Sequence, residues 1–413
     1  MLSDCLQIFV CLYAIAKHVT GHRSEQQDQE NLDSSIRSIS LTQNELHNKS
    51  DFEERISRIA NESLPEFSVM EVLISNEPVT FYDTTDEGSE TYGVIIRLHH
   101  TVGEGLNLLS FLLSIADDQA ITNKITGNSD VSDVYKNMPN NLNIISSKNI
   151  LSNVVNFISD VMKNASVYHF SLIEPHDDNI LHKSALSGEK ILVSRLEKNS
   201  EYFLKIKSIK SRVKQCTFSD VVHTAISASL WEYFNKYSKP VPRNIRMTFM
   251  ATIRNGSFCA MIQNLPIHVD GTKGPTENLL QRFNIVKASQ KRIRQSVDAL
   301  VIYWLAYCSS FLPIPLARVM LKLVIKSTVS LSNLPGTRAI KINGQLVRDI
   351  VFWTPNVSLT GVGLTILTYD NRLQVGLVAD KALIPSRENA EDIVQNIFKY
   401  LDLLEEEIKL NGD

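Results

Sequence analysis

A two-domain α/β protein is what this sequence predicts, and three observations predict it. The chain has 413 residues, more than one compact core usually organises, and suits two units of roughly 200 residues each. A β-branched run at Tyr92 to His99 leads through a glycine-containing turn into a strongly helical run at Leu106 to Ala116, giving strand, turn, helix. Short strand-like runs at Ala339 to Ile342, Ile350 to Pro355, Gly363 to Tyr369 and Leu373 to Ala379 then precede a closing helix at Glu388 to Lys409.

Composition fits that class. Hydrophobic residues make up 43% and charged residues 21%, which is globular usage. A net charge of -3 gives no electrostatic case for nucleic acid. The densest basic run, Lys287 to Arg294, reads as the solvated face of one helix. Five cysteines, odd in number and scattered without a CxxC pair, indicate neither a zinc ribbon nor a disulfide framework. A reducing, intracellular-facing compartment is the simplest reading.

Along the chain, residues 1–60 form a poorly defined N-terminal segment, in which 20–60 is polar and reads as a flexible lead into a helix. Residues 61–190 make an N-terminal half and 205–413 a C-terminal half, with the linker between 170 and 205. Leu6 to Ala16 is apolar and has the length of a signal-peptide core, too short to span a bilayer. The readings open for it are a cleaved signal, which the preceding acid and missing base weaken, a membrane-touching helix and an ordinary buried helix. Residues 117–150 are polar and read as loops, and 150–163 as a helix.

In the second half, Ser219 to Tyr237 reads as a helix with a Ser-Asp cap. Ile245 to Ile253 and Leu265 to Val269 read as strands, Leu331 to Thr337 as a turn-rich loop, and Asp370-Asn371 as a hairpin turn. Ala299 to Ala317 carries no charge over 19 residues, with Pro313 and Pro315 near its end and basic residues on both flanks. A helix pair dipping into one leaflet fits it better than a transmembrane span, and a buried interdomain hairpin is the alternative.

The run that points to chemistry is His99-His100-Thr101-Val102-Gly103-Glu104-Gly105. Acyl transfer to an alcohol needs a base that takes the hydroxyl proton as oxygen attacks, and an imidazole does this near neutral pH. A strand end fixes the ring, and glycines allow the turn that frees its face. A histidine pair alone also fits a strand end satisfying turn hydrogen bonds. A metal reading is weaker, since adjacent strand residues face opposite ways and no further ligand cluster is evident. His223 and His268 read as core or surface residues, Gly271 to Pro275 as a surface turn, and no GxSxG elbow is present.

This run resembles the HHxxxDG signature of the CoA-dependent acyltransferase superfamily. More narrowly, the downstream chain is similar to the bifunctional wax ester synthase/diacylglycerol acyltransferase family. Its Asn-Val-Pro-Gly-Pro loop corresponds to Asn333-Leu334-Pro335-Gly336-Thr337, its Asn-Asp helix start to Ser219-Asp220, and its Pro-Val-Ser-x-Arg strand to Met250 to Arg254. Ile342-Asn343-Gly344, Phe352 to Pro355, Gly361 to Leu364, Thr368 to Asp370 and Gly376 to Asp380 come after it in the family's order.

The resemblance covers about residues 90–405 and implies a two-domain sandwich with an interdomain tunnel. It implies His100 as general base, His99 as supporting, Glu104 as a structural acid in place of the family's Asp, and Gly105 keeping the turn. Arg254 is the favoured partner of that acid, Arg97 the other candidate. Asn333, Pro335, Gly336, Ser219 and Asp220 would line the tunnel, with amide or backbone donors for the thioester oxygen. The implied reaction moves a fatty acyl group from acyl-CoA to a long-chain alcohol or diacylglycerol, with acyl-CoA as co-substrate and neither cofactor nor metal. A membrane surface inside the cell, at endoplasmic reticulum, plasma membrane or lipid droplet, is the expected setting. Glu104 and the atypical N-terminus keep a second reading open, a catalytically impaired lipid-binding relative. An enzyme of small polar acceptors is a third, against which the apolar 299–317 run argues.

Overall fold

The computed structural model describes residues 7–17, 36–65, 68–81, 89–99, 113–117, 177–182, 185–238, 240–252, 258–269, 279–295, 312–313, 316, 327–334, 336–355 and 360–411. In chain order the elements are β1 (Gln7–Lys17), β2 (Ile36–Ile39), α1 (Gln43–His47), α2 (Lys49–Ala60), β3 (Met70–Ser75), β4 (Ser89–His99) and β5 (Lys190–Leu196). Then come α3 (Glu201–Arg212), α4 (Phe218–Tyr237), β6 (Asn244–Thr252), β7 (Phe258–Pro266), α5 (Leu279–Gln295), β8 (Val329–Leu334), β9 (Lys341–Ile342), β10 (Gln345–Trp353), β11 (Val362–Tyr369), β12 (Arg372–Asp380) and α6 (Arg387–Leu410).

These form two six-stranded sheets. The first has the order β2-β3-β4-β1-β10-β9 and the second β5-β12-β11-β8-β6-β7. The chain exchanges strands between them: β10 joins the first sheet although it comes after most of the second, and β5 heads the second sheet. Within the first sheet β2 runs parallel to β3, and within the second β8 runs parallel to both neighbours, β11 and β6. Helices α3 to α6 cover one face of the second sheet around one large apolar core. The long central helix α4 buries fourteen of its residues there, which its small side chains Ala225, Ser227, Ala228 and Ser229 permit.

Residues 7–16 are not a helix. They fall in β1, which lies between β4 and β10 and pairs antiparallel with both along its length. An uninterrupted apolar run carries no period to distinguish a central strand from a buried helix. The polar 20–60 segment also differs from expectation at its end. Asn48 caps α2 by accepting from the Ser50 amide, and Phe52, Ile56 and Ile59, spaced for one helical face, are all buried. That face packs with Leu73, Ile95, Val351 and Trp353 of the first sheet and Leu192 and Val378 of the second. The close fit explains Gly93 on β4: a Cβ there would stand 2.7 Å from the Phe52 ring.

The polar side of α2 is used as well. Ser57 Oγ accepts from the Leu192 amide (2.9 Å) and donates to the Glu53 carbonyl of its own helix (2.9 Å). One turn on, Asn61 accepts from the Lys190 amide (2.8 Å) and donates to its carbonyl (3.1 Å). Lys49 Nζ donates to the Ser194 carbonyl at 2.8 Å. A helical turn and two strand residues rise by nearly the same length, so the helix satisfies alternate backbone groups of β5, the edge strand of its sheet. At the centre lies Glu53, 2% exposed, which accepts from Lys49, Ser194 and, at 3.1 Å, Arg387 of α6.

The two sheets also meet through β10. Trp353 Nε1 donates to the Val193 carbonyl at 2.9 Å, and a Cβ on Gly376 would lie 2.7 Å from the Phe352 carbonyl oxygen. The β11–β12 hairpin turns at Asp370-Asn371, both with positive φ (50° and 58°), the conformation that lets a two-residue loop match strand twist.

Candidate active site

β4 supplies the first part of the site. Its Ile96 and Leu98 belong to one apolar cluster with Leu334 at the end of β8, Leu367 and Tyr369 of β11, and Phe352 of β10. Ile95 packs on the opposite face, with α2. Arg97 shares that face and is 1% exposed; its guanidinium binds Glu71 on β3 at 2.6 Å and the Glu62 carbonyl. His99 ends the strand half-buried, its amide donating to the Val69 carbonyl at 2.8 Å. His100, Glu104, Gly105, Arg254 and Pro335 lie outside the described residues.

β8 and α4 supply the second part. The segment expected to be a loop from Leu331 is strand as far as Leu334, its Leu331 and Leu334 buried. Asn333 Nδ2 donates to Ser219 Oγ at 3.5 Å, and both residues are half-buried. An amide nitrogen carries two hydrogens, and among the described residues Ser219 takes one of them. Gly336 is laid against β11: its amide donates to Thr368 Oγ1 at 3.0 Å, and a Cβ would fall 1.0 Å from the Thr368 carbonyl oxygen, so glycine alone fits.

The cap of α4 is not Ser219-Asp220 but begins two residues earlier. Thr217 Oγ1 accepts from the Asp220 amide (3.2 Å) while Asp220 accepts from the Thr217 amide (2.8 Å), a reciprocal capping box. Asp220 is 0% exposed, and its other oxygen accepts from Arg294 of α5 at 3.2 Å. Its carboxylate therefore supports the first turn of α4 rather than presenting a surface to substrate. Arg294 also donates to Thr217 Oγ1 at 3.4 Å. Sequence reasoning misses Thr217 and Arg294 and gives Thr368, quoted only within a motif, no part in the site. The T-x-x-D spacing of the cap is a readable signal, whereas the long-range Arg294 pairing leaves none.

One turn behind Ser219, His223 is 1% exposed and lies edge-on to Phe249. Gln263 Oε1 accepts from its Nδ1 (2.7 Å) and from Gln290 Nε2 (2.6 Å). Burial lowers its imidazole to about 4, against the opposing Gln263 hydrogen bond, so the ring is neutral near pH 7. A depressed native value means that the unfolded chain binds the proton first. His223 thus contributes stability that is complete above its ordinary value near 6.5 and is lost as pH falls toward 4. His223→Asn is expected to be less stable than the parent at pH 7.5, with the gap narrowing by pH 5. Urea midpoints at the two pH values measure it, and a constant gap would refute it.

Among the described residues no group of three or more His, Cys, Asp or Glu side chains could hold a metal ion, and no helix is long and apolar enough to cross a membrane. The apolar run at 299–317 lies, apart from 312, 313 and 316, outside the described residues, as do the helix expected at 150–163 and the turn at 271–275.

The same two-sheet arrangement occurs in solved structures of low sequence identity. The wax ester synthase/diacylglycerol acyltransferase from Marinobacter aquaeolei VT8 superposes with a TM-score of 0.60 at 12% identity, covering 97% of this chain and 95% of that one. The TRI3 trichothecene 15-O-acetyltransferase from Fusarium sporotrichioides gives 0.56 at 12% identity, over 96% and 92%. The first condensation domain of the CDA synthetase gives 0.51 at 10% identity, over 97% and 91%. No curated protein matches the chain in sequence. The fold is thus the two-domain fold of the CoA-dependent acyltransferases. Residues 256–402 match the family model described as the WS/DGAT C-terminal domain. Over that stretch the chain carries a WS/DGAT C-terminal domain, and over its whole length it shares the fold of the Marinobacter enzyme.

Proposed function

We propose that this acyl-CoA-dependent O-acyltransferase esterifies a long-chain alcohol or diacylglycerol, with His100 as general base. The observation that carries the reading is a convergence of the two halves. Leu98, two residues before His100, shares one apolar cluster with Leu334 of β8, Phe352 of β10 and Tyr369 of β11. Val94, Ile96 and Leu98 are β4's contribution to that cluster. The proposal extends this alternation by one step, to His100.

The chemistry then runs without a covalent enzyme intermediate. His100 takes the hydroxyl proton as the acceptor oxygen attacks the thioester carbonyl. The remaining N–H of Asn333 donates to the oxyanion. Collapse breaks the carbon–sulfur bond, and the imidazolium returns its proton to the departing CoA thiolate, giving ester and CoA-SH. His99, Glu104 and Gly105 would hold the turn, with Arg254 as partner of the acid: Arg97 is already bound to Glu71. The uncharged 299–317 run with its basic flanks supports work at an intracellular membrane surface. The domain match favours an active enzyme over an impaired lipid-binding relative.

The test is ester formation from labelled palmitoyl-CoA with hexadecanol, diolein and a small polar alcohol offered separately. Wax ester or triacylglycerol is the expected product. Product from the polar alcohol alone, or none from any, would overturn the assignment.

A further inference from the structure

We infer that Arg294 is a positioning residue for catalysis, which it serves by fixing the first turn of α4 so that Ser219 meets Asn333. This inference rests on the function proposed above. Arg294 is the last residue but one of α5, and it reaches across to an element 74 residues earlier in the chain. Its target, Asp220, is a fully buried carboxylate, which is costly to hold without donors around it. Thr217 provides one from the backbone and the helix start a favourable dipole; Arg294 provides the charged one, at 3.2 Å, and binds the Thr217 hydroxyl as well. The capping box and the guanidinium together set where the first turn of α4 lies.

Ser219 sits inside that turn, directly before Asp220. Its contact with Asn333 is 3.5 Å, at the outer limit of a hydrogen bond, so a small displacement of the turn breaks it. Asn333 is fixed on its strand by pairing with Ile366 of β11, which leaves its amide orientation to depend on Ser219. Arg294 therefore acts on the amide at one remove: guanidinium, Asp220, first turn of α4, Ser219 hydroxyl, Asn333 amide. It touches no reacting atom.

Arg294→Met, Arg294→Lys, Ser219→Ala and the Ser219→Ala/Arg294→Met pair separate this from a merely structural ion pair. In the esterification assay Arg294→Met is expected to lower kcat about 10- to 100-fold, with KM for acyl-CoA within about twofold of the parent, and Arg294→Lys to recover most of the loss. In the Ser219→Ala background the same replacement should change kcat by less than about twofold, because the contact through which it acts is already gone. Equal losses in both backgrounds, a lowered unfolding temperature with unchanged kcat, or a raised KM for acyl-CoA alone would each overturn the inference. Hydrogen exchange at the Val221 and Val222 amides, measured without substrate, is expected to quicken in Arg294→Met, and unchanged exchange overturns the inference by itself. An unmodified protein that makes no ester would instead overturn the proposed function, whatever Arg294 does to exchange.

Discussion

Replacing His100 by alanine is expected to lower kcat about 10²- to 10⁴-fold, the usual contribution of a positioned general base. KM for acyl-CoA and the far-ultraviolet circular dichroism should stay as in the parent. The effect is large because nothing else named in the site can take the hydroxyl proton. Strand alternation puts His99 on the face of β4 opposite Ile96 and Leu98, and His223 is sealed in the core with Gln263 and Gln290. Steady-state kinetics on the purified variant measure it. Activity within a few-fold of the parent would remove His100 from the mechanism and leave the fold assignment standing.

The second large effect concerns stability. Glu53→Ala is expected to destabilise the protein by about 3 kcal/mol or more, the cost of breaking a buried ion pair by removing one partner. Glu53 draws donors from three directions: Lys49 on its own helix, Ser194 on β5 and Arg387 on α6. Its loss leaves two cations and a hydroxyl facing an empty centre, at the point where α2 grips the second sheet. Glu53→Gln keeps an acceptor and should cost less. Urea unfolding of the three proteins measures both differences, and a loss below about 1 kcal/mol for the alanine variant would show the network to be a surface ornament.

The C-terminal half is the more legible part of the sequence, for a local reason. Its strands are short apolar runs bounded by turn residues, and its turn at Asp370-Asn371 uses residues that tolerate positive φ, so β10, β11, β12 and α6 can be read from neighbours a few residues apart. β1 is misread because what makes it a strand is β4 and β10, eighty and more than three hundred residues away in the chain, and no local period records them. α2 hides in a polar stretch because one face holds only Phe52, Ile56 and Ile59 while the other is needed for hydrogen bonds to β5. Leu331 to Leu334 look like a loop because Pro335-Gly336 announces a turn and draws the reading backwards over a buried parallel strand. In the site, Ser219 and Asn333 are legible as motifs and do meet. Arg294 and Gln290 are not, since a long-range pairing partner shows in space and not in local sequence.

The place of β10 has a consequence for how the molecule is made. β4 is made not long after β1, yet the other side of β1 stays open until residues 345–353 arrive. Between the synthesis of β4 and that of β10 the nascent chain thus carries an apolar strand with one unsatisfied edge, a template for pairing with a stranger. A truncated product ending before residue 345 would keep that edge for good. The first sheet thus waits for a strand made after most of the second, and only β10 closes the open side of β1.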